Sequence, residues 1–422
     1  MILSGWGNFP KIDSSLTSLY PKKPFITSGN FRSYGDAALF ENVYSNLKNN
    51  RLISFDDSTG LLTCESGILL SEILDLFVPK GWFLNVSPGT KFVTVGGALS
   101  SDVHGKNHHK YGCFSESVLS FKILLPNGEI KKCTRQKNSD FFHASIGGMG
   151  LTGLITEVSF YLKKINSVWI KEKIIKTENL SETFEVFEEH SSSEYSVAWI
   201  DCLAKDRNIG RSIIMLGEFD NDGDLNYKIK KSIPIPKKFP SFILNSLSIK
   251  IFNKMYYHKN FSSMSVSRIS IEKFFYPLDT LKNWNRIYGK NGFIQFQFIL
   301  PKDFSYPVLT NILKEISKKS LGSFLAVLKL YGPSNKNWLS FPIEGYSLAM
   351  DFKIQPKLFK FICELTDLVV KNGGRVYLAK DALMNLNQFN DSYPNADLFR
   401  EFRIDNKLNM FYNSIQSKRL NL

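Results

Sequence analysis

Three of the six histidines fall within six residues, His104, His108 and His109 in "GGALSSDVHGKNHHKYG" (96–112). Imidazoles this close could hold a metal, line a pocket or only decorate a loop. Zinc is the poorest of these readings, because no HExxH and no paired carboxylate spacing accompanies them. His108 and His109 are adjacent, so at most one of them faces a given ligand. Hydrogen bonding from a surface loop suits His109 better than chemistry does. A second candidate is Lys380, which follows the apolar run in "RVYLAKD" beside Tyr377. An amine withdrawn from water can lose its proton near neutral pH and act as a base, or stay charged and steady an anion. The plain alternative is a lysine at the solvent-facing end of a strand. Unbroken alternation would put Tyr377 and Ala379 on one face and Val376, Leu378 and Lys380 on the other.

Four glycine-bearing segments could cradle phosphate: "TSGNFRSYGD" (27–36), "SPGTKFVTVGGALSSDVHG" (87–105), "YGCFSES" (111–117) and "GGMGLTGLI" (147–155). Glycine lets the backbone approach a ligand closely and turn successive N–H groups toward oxygen. Arg32 adds charge-assisted donors to the first segment. "GGMGLTG" is only a loose relative of GxGxxG and lacks the strand–turn–helix setting of a Rossmann fingerprint. Each segment alone reads as an ordinary turn; the four together point to a phosphate-rich cofactor.

The elements that must position these groups form an α+β pattern rich in tight turns. "VLSFKILLP" and "EIKKCT" flank Asn127-Gly128, a hairpin signal. Residues 68–80 have helical apolar spacing and stop before Gly81. From about 161 the texture changes. Charged, amphipathic stretches such as "KIIKTENLSETFEVFEEH" alternate with strand-like runs "YSVAWIDCL", "RSIIMLGEF", "FIQFQFILP" and "FLAVLKLYG". Residues 226–262 are basic, aromatic and irregular, readable as an ordinary surface insertion, a lid or a lipid-touching patch. Residues 355–374 show helical spacing closed by glycines.

At 422 residues, two domains are expected. Apolar residues make up 43% and charged residues 22%, which excludes disordered and fibrous classes. The net charge of +14 suits anionic surroundings, such as a membrane surface or phosphate-bearing substrates, and equally a generic basic background. Lysine pairs are spread along the chain and no RNA-reading module is visible, so nucleic acid is not an expected partner. Neither a secretory leader nor a membrane-spanning apolar run stands out. Five cysteines without CxxC spacing fit structural thiols in a reducing compartment. The expected setting is the cytoplasm, with a possible resting place on the inner face of the membrane.

The sequence resembles the flavin-dependent oxidoreductases of the vanillyl-alcohol-oxidase type, with a PCMH-type FAD-binding domain, and among them the decaprenylphosphoryl-ribose 2-oxidase branch. The resemblance rests on "SGNFRSYGD", "PGTKFVTVGGALSSDVHGKNHHKYG", "LLPNGEI", "GGMGLTGLITEVSF", "YSVAWIDC", "FQFILP", "FLAVLKLYG", "GGRVYLAKD" and "SKRLNL". It implies an FAD-binding domain over 1–170, a substrate domain built on an antiparallel sheet over 171–372, and a C-terminal segment, 373–422, that returns to the active site. By the same resemblance, Ser28, Gly29, Asn30, Phe31, Arg32, Ser33, Tyr34 and Gly35 hold FAD from the first loop. Gly89, Thr90, Thr94, Val95, Gly96, Gly97, Ser101, Asp102, Val103, His104, Gly105, Asn107 and Gly112 continue the cradle, with Ile155 and Tyr377 beyond. His104 approaches the isoalloxazine side, and Tyr377 and Lys380 complete the catalytic site. His108, Trp199, Gln295, Gln297 and Lys329 match substrate-pocket positions.

Covalently flavinylated members carry a histidine just before the serine of the first loop. Here Arg32 precedes Ser33, so FAD is expected to be held non-covalently. Mycobacterial members carry a cysteine where this chain has Ala349, so no thiol there takes part. The implied reaction is hydride loss from a sugar carbinol carbon, with Lys380 as base or electrostatic stabiliser. The implied substrate is a lipid-linked phosphoribose, oxidised at C2′, and the implied partner is a short-chain NAD(P)H reductase. A sugar, alditol or aldonolactone oxidase of the same fold is the alternative.

Overall fold

A computed structural model describes residues 1–228, 232–235, 244–259 and 262–422. The excursion expected at 226–262 therefore lies partly outside the described residues. After a short antiparallel pair, Ile2–Ser4 with Lys11–Asp13, the N-terminal part forms a small parallel sheet, β1 (Ser15–Thr17), β2 (Ile26–Ser28) and β3 (Asn42–Ser45), ordered β1-β3-β2. An antiparallel sheet follows from β4 (Leu52–Asp56) and β5 (Leu61–Glu65). Helix α1 (Leu70–Phe77) buries Leu70, Ile73, Leu74 and Phe77, and the following 3₁₀ turn ends at Gly81 with φ +80°. That left-handed conformation favours glycine, which is why the helical pattern stops there.

Strand β6 (Trp82–Leu84), α2 (Val95–Ser100) and α3 (His108–Tyr111) come next. The hairpin at Asn127-Gly128 joins β7 (Val118–Leu124) to β8 (Ile130–Cys133). Helix α4 (Ser139–Ser145) leads through the 147–153 glycines into β9 (Leu154–Lys164). The sheet order is β8-β7-β9-β5-β4, with β6 pairing to β9.

The second domain is one eight-stranded sheet. Its first strand, β10 (Trp169–Thr177), occupies the start of the charged stretch, and α5 (Leu180–Glu189) the rest, capped by Asn179 accepting from the Glu182 N–H. Next are β11 (Tyr195–Ile200), β12 (Ser212–Phe219), α6 (Ser246–His258) and β13 (Met264–Ser270). Strand β14 (Phe293–Pro301), α7 (Lys302–Lys319), β15 (Ala326–Tyr331), β16 (Gly345–Lys353), α8 (Leu358–Lys371) and β17 (Arg375–Val376) complete it. The order is β13-β10-β12-β11-β15-β16-β14-β17, antiparallel at each pair. Strand β11 lies in the middle of the sheet and is buried along its whole length; β14, flanked by β16 and β17, is buried at every position but the last.

"RVYLAKD" does not run on as a strand. After Val376 the chain turns, the Lys380 N–H donating to the Tyr377 carbonyl at 2.8 Å. The expected alternation of faces is therefore broken, and Tyr377 and Lys380 come to one side while Leu378 enters the core. Beyond it, α9 (Leu386–Ser392) packs on α8, the Gln388 amide donating to Asp367 at 2.6 Å, while α10 (Ala396–Asp405) and α11 (Ile415–Arg419) pack back on the N-terminal domain. The Phe25 N–H donates to the Phe411 carbonyl at 2.8 Å, and Arg419 of α11 bridges Asp36 and Asp381 at 2.7 and 2.8 Å.

Candidate active site

A cavity of about 630 Å³ lies where the two domains meet. Ser28, Gly29, Asn30, Phe31, Arg32, Ser33 and Tyr34 line it from the first glycine loop. Gly89, Thr90, Thr94, Gly96, Gly97, Ser101, Val103 and His104 line it from the second, and Ile155 from β9. Trp199, Gln295, Gln297, Lys329, Tyr377 and Lys380 face it from the other domain and the C-terminal turn. Residues more than 300 positions apart thus share one space.

The glycine cradle is close-fitting. A Cβ on Gly29 would stand 2.3 Å from Thr94 Oγ1, and that hydroxyl is fixed because it caps α2 by accepting the Gly97 N–H at 3.2 Å. Asn30 donates its amide to the Phe92 carbonyl at 2.8 Å, tying the two loops together. The Arg32 guanidinium lies 3.9 Å from the centre of the Trp6 ring, and its Nε, though buried, has no hydrogen-bond partner.

At the other end, the Gln297 amide nitrogen is 2.8 Å from His104 Nε2, leaving buried His104 Nδ1 without a partner. Burial, with Lys329, His108 and Lys380 nearby, holds His104 well below the usual histidine range, so the ring is neutral. The Tyr377 hydroxyl donates to the Ser101 carbonyl at 2.8 Å. Lys380 Nζ lies over the Tyr34 ring, and burial brings its amine down to about 7, opposed by Asp351 and aided by Lys329. Lys329 falls to about 8, also through burial.

The histidine cluster disperses. His104 turns to the cavity. His109 reaches the Ser193 carbonyl at 2.8 Å through Nε2. His108, matched to the substrate pocket, does not line the cavity: its ring stacks on Tyr331 at 4.5 Å and Nδ1 accepts the Gly332 N–H at 3.2 Å. Six residues matched to FAD also stand behind the wall. Gly35 lies against the Asp381 carbonyl and Gly105 against Ser87. Val95 is buried in the core of its own domain, and Gly112 ends α3 at φ +65°. Asn107 donates to the Asn85 carbonyl at 2.8 Å. Asp102 turns away because its carboxylate accepts from Asn335 at 2.7 Å, Asn337 at 3.2 Å and Ser340 at 2.6 Å. The whole segment 111–117 shares that fate; of the four glycine segments, the other three reach the cavity.

Sequence reasoning missed three groups. Asp351 on β16 sits opposite Gln295 and accepts its amide at 2.6 Å, behind the cavity wall; burial pushes its carboxyl up to about 7. Its signal was a lone carboxylate in the apolar strand "GYSLAMDF". Lys106 lines the cavity, donates to the Phe274 carbonyl and is lowered to about 7 by burial. Asp279 accepts from Thr90 Oγ1 at 2.8 Å and from the Lys91 N–H at 2.9 Å, pinning the second glycine loop; nothing local in the sequence announces it.

These features fit FAD. A glycine-walled cradle beside an unpartnered guanidinium nitrogen suits a pyrophosphate. A neutral imidazole with a free ring nitrogen suits a heteroaromatic ring bearing both donors and acceptors.

Comparison with known proteins points the same way. Residues 20–134 match the family model described as "FAD binding domain". The chain is 33% identical to the decaprenylphosphoryl-beta-D-ribose oxidase of Mycolicibacterium smegmatis, across 94% of this chain and 92% of that protein. A shorter match, 32% identical, covers 26% of the chain and 25% of a D-lactate dehydrogenase of Anaerostipes hadrus. The xylooligosaccharide oxidase of Myceliophthora thermophila C1, solved with xylobiose, shares the fold with a TM-score of 0.65 at 14% identity, over 92% of this chain and 85% of that one.

Proposed function

From the premise that the chain belongs to the FAD-dependent oxidoreductase family of decaprenylphosphoryl-ribose oxidase, acting on CH–OH groups with non-covalent FAD, we propose that it oxidises the C2′ hydroxyl of a polyprenylphosphoryl pentose. The observation that carries this reading is the group of buried amines around one cavity, Lys380, Lys329 and Lys106, beside a cradle for FAD.

Bound FAD supplies a two-electron acceptor for the carbinol hydrogen. The chain's own residues handle the proton and the charge. The first glycine loop with Arg32, and the second with Thr94, would bind the phosphate end. His104, held by Gln297, and Tyr377, held on the Ser101 carbonyl, would orient the reacting end. Lys380, lowered to about 7 because it is buried, takes the proton from the hydroxyl oxygen as a hydride leaves the carbon that bears it, giving a ketone. Lys329 and Lys106 supply positive charge for a phosphate-bearing substrate. Ala349 lines the cavity, so the chemistry requires no thiol at that position.

The ketone would pass to a short-chain NAD(P)H reductase that returns the opposite epimer. The test is a panel of polyprenylphosphoryl pentoses and free alditols mixed with holoenzyme without oxygen, followed by analysis of the product. A 2′-ketone formed from the phosphopentose supports the reading; oxidation of the alditols alone overturns it.

A further inference from the structure

We propose that the outward face of α6 is a docking surface for an anionic lipid bilayer. The net charge is less evenly spread than the lysine pairs imply. From 225 to 271 the chain has no Asp or Glu, but eight lysines and one arginine. Those 47 residues hold nine of the fourteen net positive charges. A stretch so charged attracts an anionic surface and repels a second copy of itself.

Helix α6 lies inside this run and is firmly oriented. Asn245 caps it by accepting the Leu247 and Ser248 N–H groups. On the inward face, fully buried Asn253 donates to Asp201 Oδ1 at 2.9 Å, and the Tyr257 hydroxyl donates to the Thr177 carbonyl at 3.0 Å. The opposite face therefore points outward by construction. There Leu247, Ile251 and Met255 recur at every fourth position, exposed by 65%, 51% and 69%. Lys250 and Lys254 stand exposed beside them.

An aligned apolar stripe in water is unfavourable unless something covers it. With lysines alongside, it matches a helix lying in a membrane interface: the apolar side chains enter the acyl boundary while ammonium groups reach lipid phosphates. The helix also borders the active site, since Tyr256 and Lys259 line the cavity. Docking would bring that wall to the bilayer. The proposal stands on this surface and not on the substrate reading, so the two fail separately.

The test is sedimentation of the holoenzyme with phosphatidylcholine vesicles, with and without phosphatidylglycerol, at low and high salt. The expected result is binding to phosphatidylglycerol vesicles that weakens with salt. The variant L247S/I251S/M255S should lose binding by about tenfold or more, with FAD content and thermal midpoint unchanged. K250E/K254E should also weaken binding. The proposal is overturned if the wild-type protein stays in the supernatant with every vesicle, or if the triple variant sediments like wild type. It is equally overturned if light scattering shows a wild-type dimer that the triple variant dissolves, which would give the face to a second copy.

Discussion

Lys380 Nζ lies 3.7 Å from the centre of the Tyr34 ring, although the two residues come from opposite ends of the chain. The contact is held from behind. The Tyr34 N–H donates to the Ala379 carbonyl at 3.0 Å, and Arg419 clamps Asp36, two residues after Tyr34, to Asp381, one residue after Lys380. Burial out of water weakens the amine's hold on its proton, and the aromatic face, which favours the charged form, offsets this only in part. That is the state a proton acceptor near neutral pH requires.

Removing the amine should leave a folded flavoprotein that cannot work. Lys380→Met is expected to keep FAD and to slow substrate-driven bleaching of the bound FAD by about 10²- to 10⁴-fold. Single-turnover absorbance measurements check this. Bleaching at the wild-type rate would rule out Lys380 both as base and as stabiliser.

Asp351 sets where the amine titrates. Its negative charge raises the Lys380 pKa, whereas burial and Lys329 lower it. In Asp351→Asn that opposition is gone, so Lys380 loses its proton more easily. If neutral Lys380 is the base, the rate rises as pH passes about 7, and the variant's rising limb moves to lower pH. A pH profile of FAD bleaching in both proteins provides the comparison; an unmoved limb would disconnect the two residues.

The FAD cradle should be intolerant of one methyl group. The Gly29→Ala Cβ would meet Thr94 Oγ1 at 2.3 Å, and Thr94 cannot yield without uncapping α2. Overpacking of about 1–3 kcal/mol corresponds to a loss of FAD affinity of about 5- to 150-fold. Titration of apoprotein with FAD, read by flavin fluorescence quenching, measures it.

Arg419 is expected to matter for stability beyond its position near the chain end. Asp36 and Asp381 are both nearly inaccessible, and Arg419→Met leaves two buried carboxylates without their cation. Breaking such a group costs about 3–5 kcal/mol. The thermal midpoint should fall by several degrees, and the neutralising variant D36N/D381N/R419M should recover part of the loss.

Local signals in the sequence reported local structure well. The Asn127-Gly128 hairpin, the stop at Gly81 and the helix closed by Gly373 form where turn chemistry places them. Three of the four glycine segments meet in one cavity, and Gln295, Gln297 and Lys329 face it because alternate residues of β14 and β15 share a side. What stayed hidden depends on long-range register or on where a strand gives way. Period-two reading carried "RVYLAKD" past Val376, where a turn actually brings Tyr377 and Lys380 together. Asp351 becomes informative only once β14 and β16 pair and set it opposite Gln295. His108 looked like its neighbour His104, but Tyr331 and Gly332, more than 220 positions later, take it out of the cavity.

We propose that this cavity oxidises the hydroxyl of a lipid-linked phosphopentose. The most direct measurement mixes oxygen-free holoenzyme with polyprenylphosphoryl ribose and follows the visible absorbance of the bound FAD in a single turnover. Rapid bleaching with one equivalent of 2′-ketone formed is expected, and little or none with free ribose or alditols. Absorbance that stays unchanged with the phosphopentose, while an alditol or aldonolactone bleaches it, would give the cavity to a different substrate.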